Sequence, residues 1–238
     1  MLFFIRIYKI IGIGIITTYR TIKAFCGIIL FKKKDFFSKE IKIWADNILN
    51  IIGIEVIVTG TENINLNEKY IYIGNHTNLI DIPISVKALS HDNIYFMYRK
   101  SLQKVPVLGF ALKISPCIPI VRESSTGAMS SVEHANKSLS EASVIMFPEG
   151  TRNYTGVVGK FKRGAFLLAQ MSKKHIVPIS IQGVEKISPP KKSWQINSGK
   201  IHVHINPPIT EIPTDRTILN QLISDTQALI SDQRKKNS

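Results

Sequence analysis

Lys69-Tyr-Ile-Tyr-Ile-Gly74, then Asn75-His-Thr-Asn-Leu-Ile-Asp81, then Ile82-Pro-Ile-Ser-Val-Lys-Ala-Leu89 decide how the chain is read. The first run is β-branched and aromatic and closes at a glycine, which predicts a strand. The last predicts a helix with Pro83 in its first turn, where a missing N–H costs little. Strands are predicted again at Glu55–Gly60, Asn93–Tyr98, Ile118–Val121, Ser143–Phe147, Ile176–Ile181 and Lys200–Asn206. Between them helices are predicted at Ile41–Ile54, Val107–Lys113, Ser131–Glu141 and Gly164–Lys173. A final helix, Thr217–Ile230, trails into a polar tail at Asp232–Ser238. Strands alternating with helices imply an α/β fold, a layered and mostly parallel β-sheet flanked by helices. In such sheets ligands gather at the carboxyl ends of the strands, where Gly74–Asp81 lies.

The 238 residues suffice for one large domain with an arm, divided here as an arm over 1–40 and an α/β domain over 41–238. A hydrophobic fraction of 44% excludes global disorder. Lys and Arg number 31 against 17 Asp and Glu, a formal charge of +14. That charge calls for a polyanionic partner or surface: nucleic acid, anionic lipid, a phosphorylated substrate or an acidic carrier protein. Two cysteines, Cys26 and Cys117, exclude a disulfide-stapled scaffold and a four-cysteine zinc site, and read as two buried thiols. No GxSxG elbow, GxxxxGK[ST] loop or metal-ligand cluster is present in the sequence.

Met1–Phe31 is mostly apolar but interrupted by Arg6, Lys9, Arg20 and Lys23, so no uncharged run reaches the roughly 20 residues of a membrane span. At about 100° per residue all four cations fall on one face, roughly 100° wide. Leu2, Phe3, Phe4, Ile7, Ile11, Ile15, Ile22 and Phe25 occupy the remaining arc. This is the pattern of an amphipathic membrane-associating helix lying in the headgroup plane, its cations reaching to phosphates and Lys32-Lys33-Lys34 adding to them. A spanning or re-entrant helix with snorkelling arginines is the rival reading; a cleaved signal peptide lacks its small-residue site.

Three loops carry chemistry. His76 and Asp81 would stand about 140° apart on a regular helix, but can meet across a strand–turn–helix junction. A carboxylate on one imidazole nitrogen would fix the tautomer and leave the other as a base. The alternative is that Asp81 only caps the helix and His76 is a packed loop residue. Lys100 and Arg122 bracket the second segment; Arg122 ends an apolar run, where a guanidinium suits a phosphate or a surface ion pair. In Phe147-Pro-Glu-Gly-Thr-Arg152, Gly150 permits a tight turn and Arg152 offers a fork of donors beside Thr151. Lys160-Phe-Lys-Arg163 before Gly164 adds three cations at a helix start, an anion site or a solvated face. A candidate base beside phosphate-binding loops suggests deprotonation of a hydroxyl on a phosphorylated, membrane-borne molecule.

Asn75-His76 through Asp81 resembles the NHxxxxD motif of the glycerolipid acyltransferases. Lys100 to Arg122, with Pro106 and Gly109, resembles their second block, and Phe147–Arg152 is similar to their FPEGTR block without a mismatch. Ile176-Val-Pro178 resembles the fourth. Ser115-Pro116-Cys117 departs from the second block, which often has a glycine before its Ile-Pro-Ile-like run. The likeness spans roughly residues 40–210 and points to the 1-acyl-sn-glycerol-3-phosphate acyltransferase branch. It implies His76 as general base on the sn-2 hydroxyl of lysophosphatidate, with Asp81 orienting it. It implies that Glu149, Gly150, Thr151 and Arg152 bind glycerol phosphate with Arg122 and Lys100, and that Pro178 shapes a pocket. It further implies acyl-CoA or acyl carrier protein as cosubstrate, no other cofactor, no metal and no nucleic acid. The expected location is a membrane's cytoplasmic face, with membrane lipids as partners. Alternatives are transfer to another lyso-lipid or to glycerol 3-phosphate, a lipid esterase, or a non-catalytic anionic-lipid-binding module.

Overall fold

The computed structural model describes residues 2–31, 35–90, 93–121, 125–153, 157–189 and 195–236. Two long helices, α1 (Leu2–Phe31) and α2 (Asp35–Ile52), lead into β1 (Ile54–Thr59), β2 (Ile71–Gly74), α3 (Asp81–Ala88) and β3 (Ile94–Arg99). Next come α4 (Leu108–Ile114), β4 (Ile118–Ile120), α5 (Ser125–Ser138), β5 (Ser143–Met146) and α6 (Gly164–Ser172). The chain closes with β6 (Ile176–Gln182), α7 (Val184–Ile187), β7 (Gly199–Ile205) and α8 (Arg216–Lys236).

The strands form one sheet of seven in the order β1-β7-β6-β2-β5-β3-β4. Strands β6, β2, β5, β3 and β4 run parallel, while β7 is antiparallel to β6 and carries β1 parallel to itself. The expected mostly parallel sheet is therefore present. β2 lies at its centre, in register with β5 through Ile71 and Val144 and with β6 through Ile73 and Pro178. Alternate side chains of the central strands feed two cores. Tyr70, Tyr72, Phe96 and Val177 meet Ile48, Leu49 and Ile84 of α2 and α3 on one face. Ile71, Ile73, Val144 and Ile176 meet Val132, Phe166 and Ile223 of α5, α6 and α8 on the other. Burial on both faces explains the nearly unbroken apolar run of β2.

α1 and α2 form an antiparallel helical hairpin. Gly27 lies against Phe36, Arg20 bonds Glu40, Trp44 Nε1 donates to Thr17 Oγ1 at 3.1 Å, and Lys9 reaches Ile52, so the pairs run in opposite senses. This overturns the expected role of the cations. Lys9 is buried and its ammonium donates to Ile52 O at 2.7 Å, Ser198 Oγ at 3.2 Å and Ile196 O at 3.4 Å. Arg20 and Lys23 hold the two oxygens of buried Glu40 at 3.0 and 3.3 Å. Lys9 and Arg20 face the protein, Lys23 is exposed while reaching Glu40, and Phe4, Tyr8, Ile11, Ile15, Tyr19 and Ile22 face outward. The cause is the partner: α2 offers a carboxylate and the carbonyl of its last residue, and an ammonium caps such a helix end well. No described helix is long and apolar enough to cross a membrane. Lys32, Lys33 and Lys34 lie outside the described residues.

The boundary expected at residue 40 falls inside α2, whose later residues enter the core. Two smaller expectations are corrected. The tail expected from Asp232 is helical to Lys236, because Arg234 is buried there against Glu185 at 3.0 Å. Cys117 is buried and accepts the Phe96 N–H at 3.4 Å, whereas Cys26 is exposed on α1.

Candidate active site

Five parallel strands bring their carboxyl ends to one edge of the sheet, and the expected site residues follow those ends. His76 comes after β2, Lys100 after β3, the Phe147–Arg152 turn after β5, and Gln182 ends β6. Arg122 comes after β4 but lies outside the described residues.

Asn75 fastens the first loop. Its side-chain amide donates to Ile181 O at 2.9 Å while its carbonyl accepts the Ile181 N–H at 2.8 Å, extending the β2–β6 ladder by a side chain. A side-chain amide supplies a donor and an acceptor side by side from one planar group. The chain then turns so that Asp81, wholly buried at the start of α3, accepts on Oδ2 the Thr77 and Asn78 N–H groups at 2.6 and 2.8 Å. The same oxygen lies 2.7 Å from His76 Nδ1. Asp81 thus gathers the loop before its helix and orients the histidine; it makes no cap bond to the first turn of α3, whose N-cap position is Ile80, so the capping alternative is not the arrangement found. With Nδ1 donating to the carboxylate, Nε2 is left as the acceptor nitrogen. The His76 side chain keeps 16% exposure, and its ring stacks on Phe147 with centroids 4.4 Å apart.

The Phe147–Arg152 turn meets this loop through Glu149. Its Oε1 accepts the His76 N–H at 2.7 Å and its Oε2 the Gly159 N–H at 2.8 Å, while Asn153 N–H donates to His76 O at 2.8 Å. Glu149 is buried and both its oxygens accept backbone N–H groups, so it braces the two loops against each other. Burial pushes its carboxyl above the usual range; the two N–H donors, His76 and Arg234 act in the opposite direction.

Gly150 adopts φ +73°, and a Cβ there would sit 3.1 Å from Lys162 Nζ. The Lys162 ammonium therefore stands over the turn that exposes Thr151 and Arg152. The basic cluster before α6 was its sequence signal. Lys100 is exposed at the carboxyl end of β3, opening the 3-10 turn Lys100–Lys104. Pro178 sits within β6, four residues before the strand ends, where its carbonyl accepts Asn206 N–H and Nδ2 at 2.9 and 3.1 Å. It is a sheet residue, and the expected pocket contact does not follow from its place. Among the described residues no group of three His, Cys, Asp or Glu is placed to hold a metal. The residues that sequence reasoning passed over are Phe147 as a platform, Gly159 as a donor and Asn75 as an anchor.

A histidine held by a buried aspartate lies at the carboxyl edge of a mostly parallel sheet, beside a basic glycine turn, where α/β enzymes place their ligands. Residues 55–182 match the Acyltransferase family, and the chain belongs to it. It is 28% identical over 204 residues to a chloroplastic 1-acyl-sn-glycerol-3-phosphate acyltransferase of Arabidopsis thaliana, covering 82% of this chain and 56% of that one. It is 32% identical over 164 residues to the Saccharomyces cerevisiae 1-acyl-sn-glycerol-3-phosphate acyltransferase, covering 67% and 53%. The chain thus spans about half the length of these curated relatives. The crystal structure of the 1-acyl-sn-glycerophosphate acyltransferase of Thermotoga maritima shares the fold, with a TM-score of 0.71 at 22% identity, covering 96% of this chain and 97% of that one.

Proposed function

We propose that the protein moves a fatty acyl group from an acyl thioester, of CoA or of acyl carrier protein, to the sn-2 hydroxyl of 1-acylglycerol 3-phosphate. The carrying observation is the 2.7 Å contact of His76 Nδ1 with Asp81, which leaves Nε2 as the acceptor nitrogen of a ring that keeps 16% exposure. Nε2 takes the hydroxyl proton as the oxygen attacks the thioester carbonyl carbon. The tetrahedral intermediate collapses, the C–S bond breaks, and the departing sulfur takes the proton back from Nε2. General base catalysis of this kind contributes about 10²–10⁴-fold. Lys162, Arg152 and Thr151 would hold the acceptor's phosphate, a dianion suited to a cationic turn.

The acceptor is a membrane lipid, and the outward face of α1 supplies a seat. Phe25 of α1 and Phe110 of α4 pack ring to ring at 5.2 Å, joining that face to exposed Val105, Val107 and Phe110. Exposed aliphatic and aromatic groups along a helix of about 45 Å fit the interfacial region of a bilayer. The seat would lie on the cytoplasmic leaflet, the side from which a soluble thioester carrier arrives.

Thiol release, measured with acyl-CoA and acyl carrier protein against lysophosphatidate, glycerol 3-phosphate and lysophosphatidylcholine, tests the reading. Release with lysophosphatidate under at least one donor, and not with the choline lipid, is expected. Release with glycerol 3-phosphate alone would move the assignment to that acceptor.

A further inference from the structure

Two asparagines hold the loop that carries His76, one on each side of it. Asn75 clasps Ile181 of β6 through its amide. Asn78 is buried as well, and its Nδ2 donates to Ser188 Oγ at 2.9 Å, across 110 residues of sequence. Ser188 follows α7, is 2% exposed, and donates its own N–H to Val184 O at 2.8 Å. Val184 and Ile187 of α7 are buried in the core, and Asn197 N–H donates to Ile187 O at 2.9 Å. The Ser188 hydroxyl is therefore a fixed point. Both anchors of the loop belong to one unit, the end of β6 and the short helix that follows it.

On the reading that the site transfers acyl groups, we infer that Ser188 is a positioning residue of it: by holding the Asn78 side chain it aims the Asn78 N–H at Asp81, and through Asp81 it sets the His76 ring. Asp81 receives its donors on one oxygen. Oδ2 takes His76 Nδ1–H, Thr77 N–H and Asn78 N–H at 2.7, 2.6 and 2.8 Å, whereas Oδ1 has no partner among the described residues. The carboxylate is wholly buried, so a lost donor leaves it short of bonds in a low-dielectric interior. A turn of the Asn78 peptide would take one N–H from Oδ2 and free the carboxylate that fixes the imidazole to rotate. Among the described residues, the hydrogen bonds of Asn78 other than that to Ser188 stay within the loop, to Asp81 and Ile80. The link to Ser188 is thus what ties this peptide to the rest of the fold. A hydroxyl makes that tie without bringing a charge into the interior beside Asp81. Ser188 acts through Asn78 and Asp81, so its effect falls on the placement of His76 and not on substrate contact.

The test uses the full chain as Ser188→Ala, Asn78→Ala and the double variant, with steady-state kinetics well below the melting midpoint and amide hydrogen exchange. Ser188→Ala should lower kcat about fivefold or more, the scale of one neutral hydrogen bond, with both KM values within about twofold. Exchange at Thr77 and Asn78 should quicken, while Ile181, held by the other anchor, keeps its wild-type rate. The double variant should be no slower than the poorer single one, because both changes cut the same link. Wild-type kcat in folded Ser188→Ala, a raised KM in place of a lowered kcat, or losses that multiply in full in the double variant would overturn the inference. So would unchanged exchange at Thr77 and Asn78, or equal quickening at Ile181. Should Ser188→Ala fail to fold, Asn78→Ala decides by the same measurements. A wild-type protein without acyl transfer would defeat the proposed function, while the exchange rates would still judge the link.

Discussion

Glu149 Oε1 accepts the backbone N–H of His76 at 2.7 Å, so the acid of the third motif fixes the main chain that carries the histidine of the first. Glu149→Gln keeps shape and loses one acceptor. Turnover should fall about 10- to 100-fold with little change in KM. Stability should move the other way. Burial raises the carboxyl in the fold above its unfolded value, so the folded state holds the extra proton between the two values. Wild-type stability relative to Glu149→Gln therefore declines as pH rises from the ordinary carboxylate range through the raised folded value. Melts of both proteins from about pH 4 to pH 7 should show them alike at the acid end and the variant at least as stable at the neutral end.

His76→Ala should abolish transfer with the fold intact, since the ring stands partly exposed on Phe147. Asp81→Asn should be damaging twice. Its amide can no longer accept from Nδ1–H, Thr77 and Asn78 on one charged oxygen, and the tautomer that leaves Nε2 free loses its support. A drop of about 10²–10⁴-fold in kcat is expected for either variant. A folded His76→Ala protein with full turnover would remove the assigned base.

Much of this was legible beforehand because the signals were long or chemically sharp. β2, β5 and β6 are runs of buried β-branched residues, and β2 and β5 are each followed by a motif loop, so the placement of His76 near the Phe147–Arg152 turn followed from parallel topology. Short elements were missed: α7 and the 3-10 turns are too brief to show a period. α5 begins at Ser125, ahead of the expected Ser131, because its first turn is polar and carries no apolar stripe. The helical wheel grouped Lys9, Arg20 and Lys23 correctly but could not say what they face. That depended on Glu40 and on the end of α2, both distant in sequence. For Glu149, the bracing of His76 was not legible, because its two N–H donors lie 73 and 10 residues away in sequence.

Lys162 and Arg152 should divide substrate effects. If the turn grips the acceptor's phosphate, Lys162→Ala and Arg152→Ala each raise the KM for lysophosphatidate about tenfold, the scale of a charge-assisted bond. The thioester KM should stay within about twofold. Equal rises for donor and acceptor would detach these cations from the phosphate role.

Glu40→Ala tests the hairpin. The change strands Arg20, whose side chain is 16% exposed, and leaves Lys23 without its partner. Uncompensated charge of this sort costs about 3 kcal/mol or somewhat less where water reaches it. A lowered thermal midpoint together with faster proteolysis within α1 is expected, and α1 should remain protected in Glu40→Gln more than in Glu40→Ala.

The outward face of α1 makes the membrane prediction unusual in its salt dependence. Ile11 and Ile15 are 56% and 63% exposed, so replacing them costs the fold little. Ile11→Glu with Ile15→Glu should melt like the wild type yet lose about tenfold or more of its binding to vesicles, because two carboxylates enter the layer where aliphatic groups belong. Lys9 and Arg20 are spent on the protein and Lys23 is partly neutralised by Glu40, so this helix lends little headgroup attraction. Wild-type binding to anionic vesicles in flotation assays should therefore survive about 0.5 M salt in large part, where a purely electrostatic attachment would be screened away. Complete release of the wild type by salt, with the double variant binding normally, would show that cations elsewhere do the anchoring and that this face meets something other than lipid.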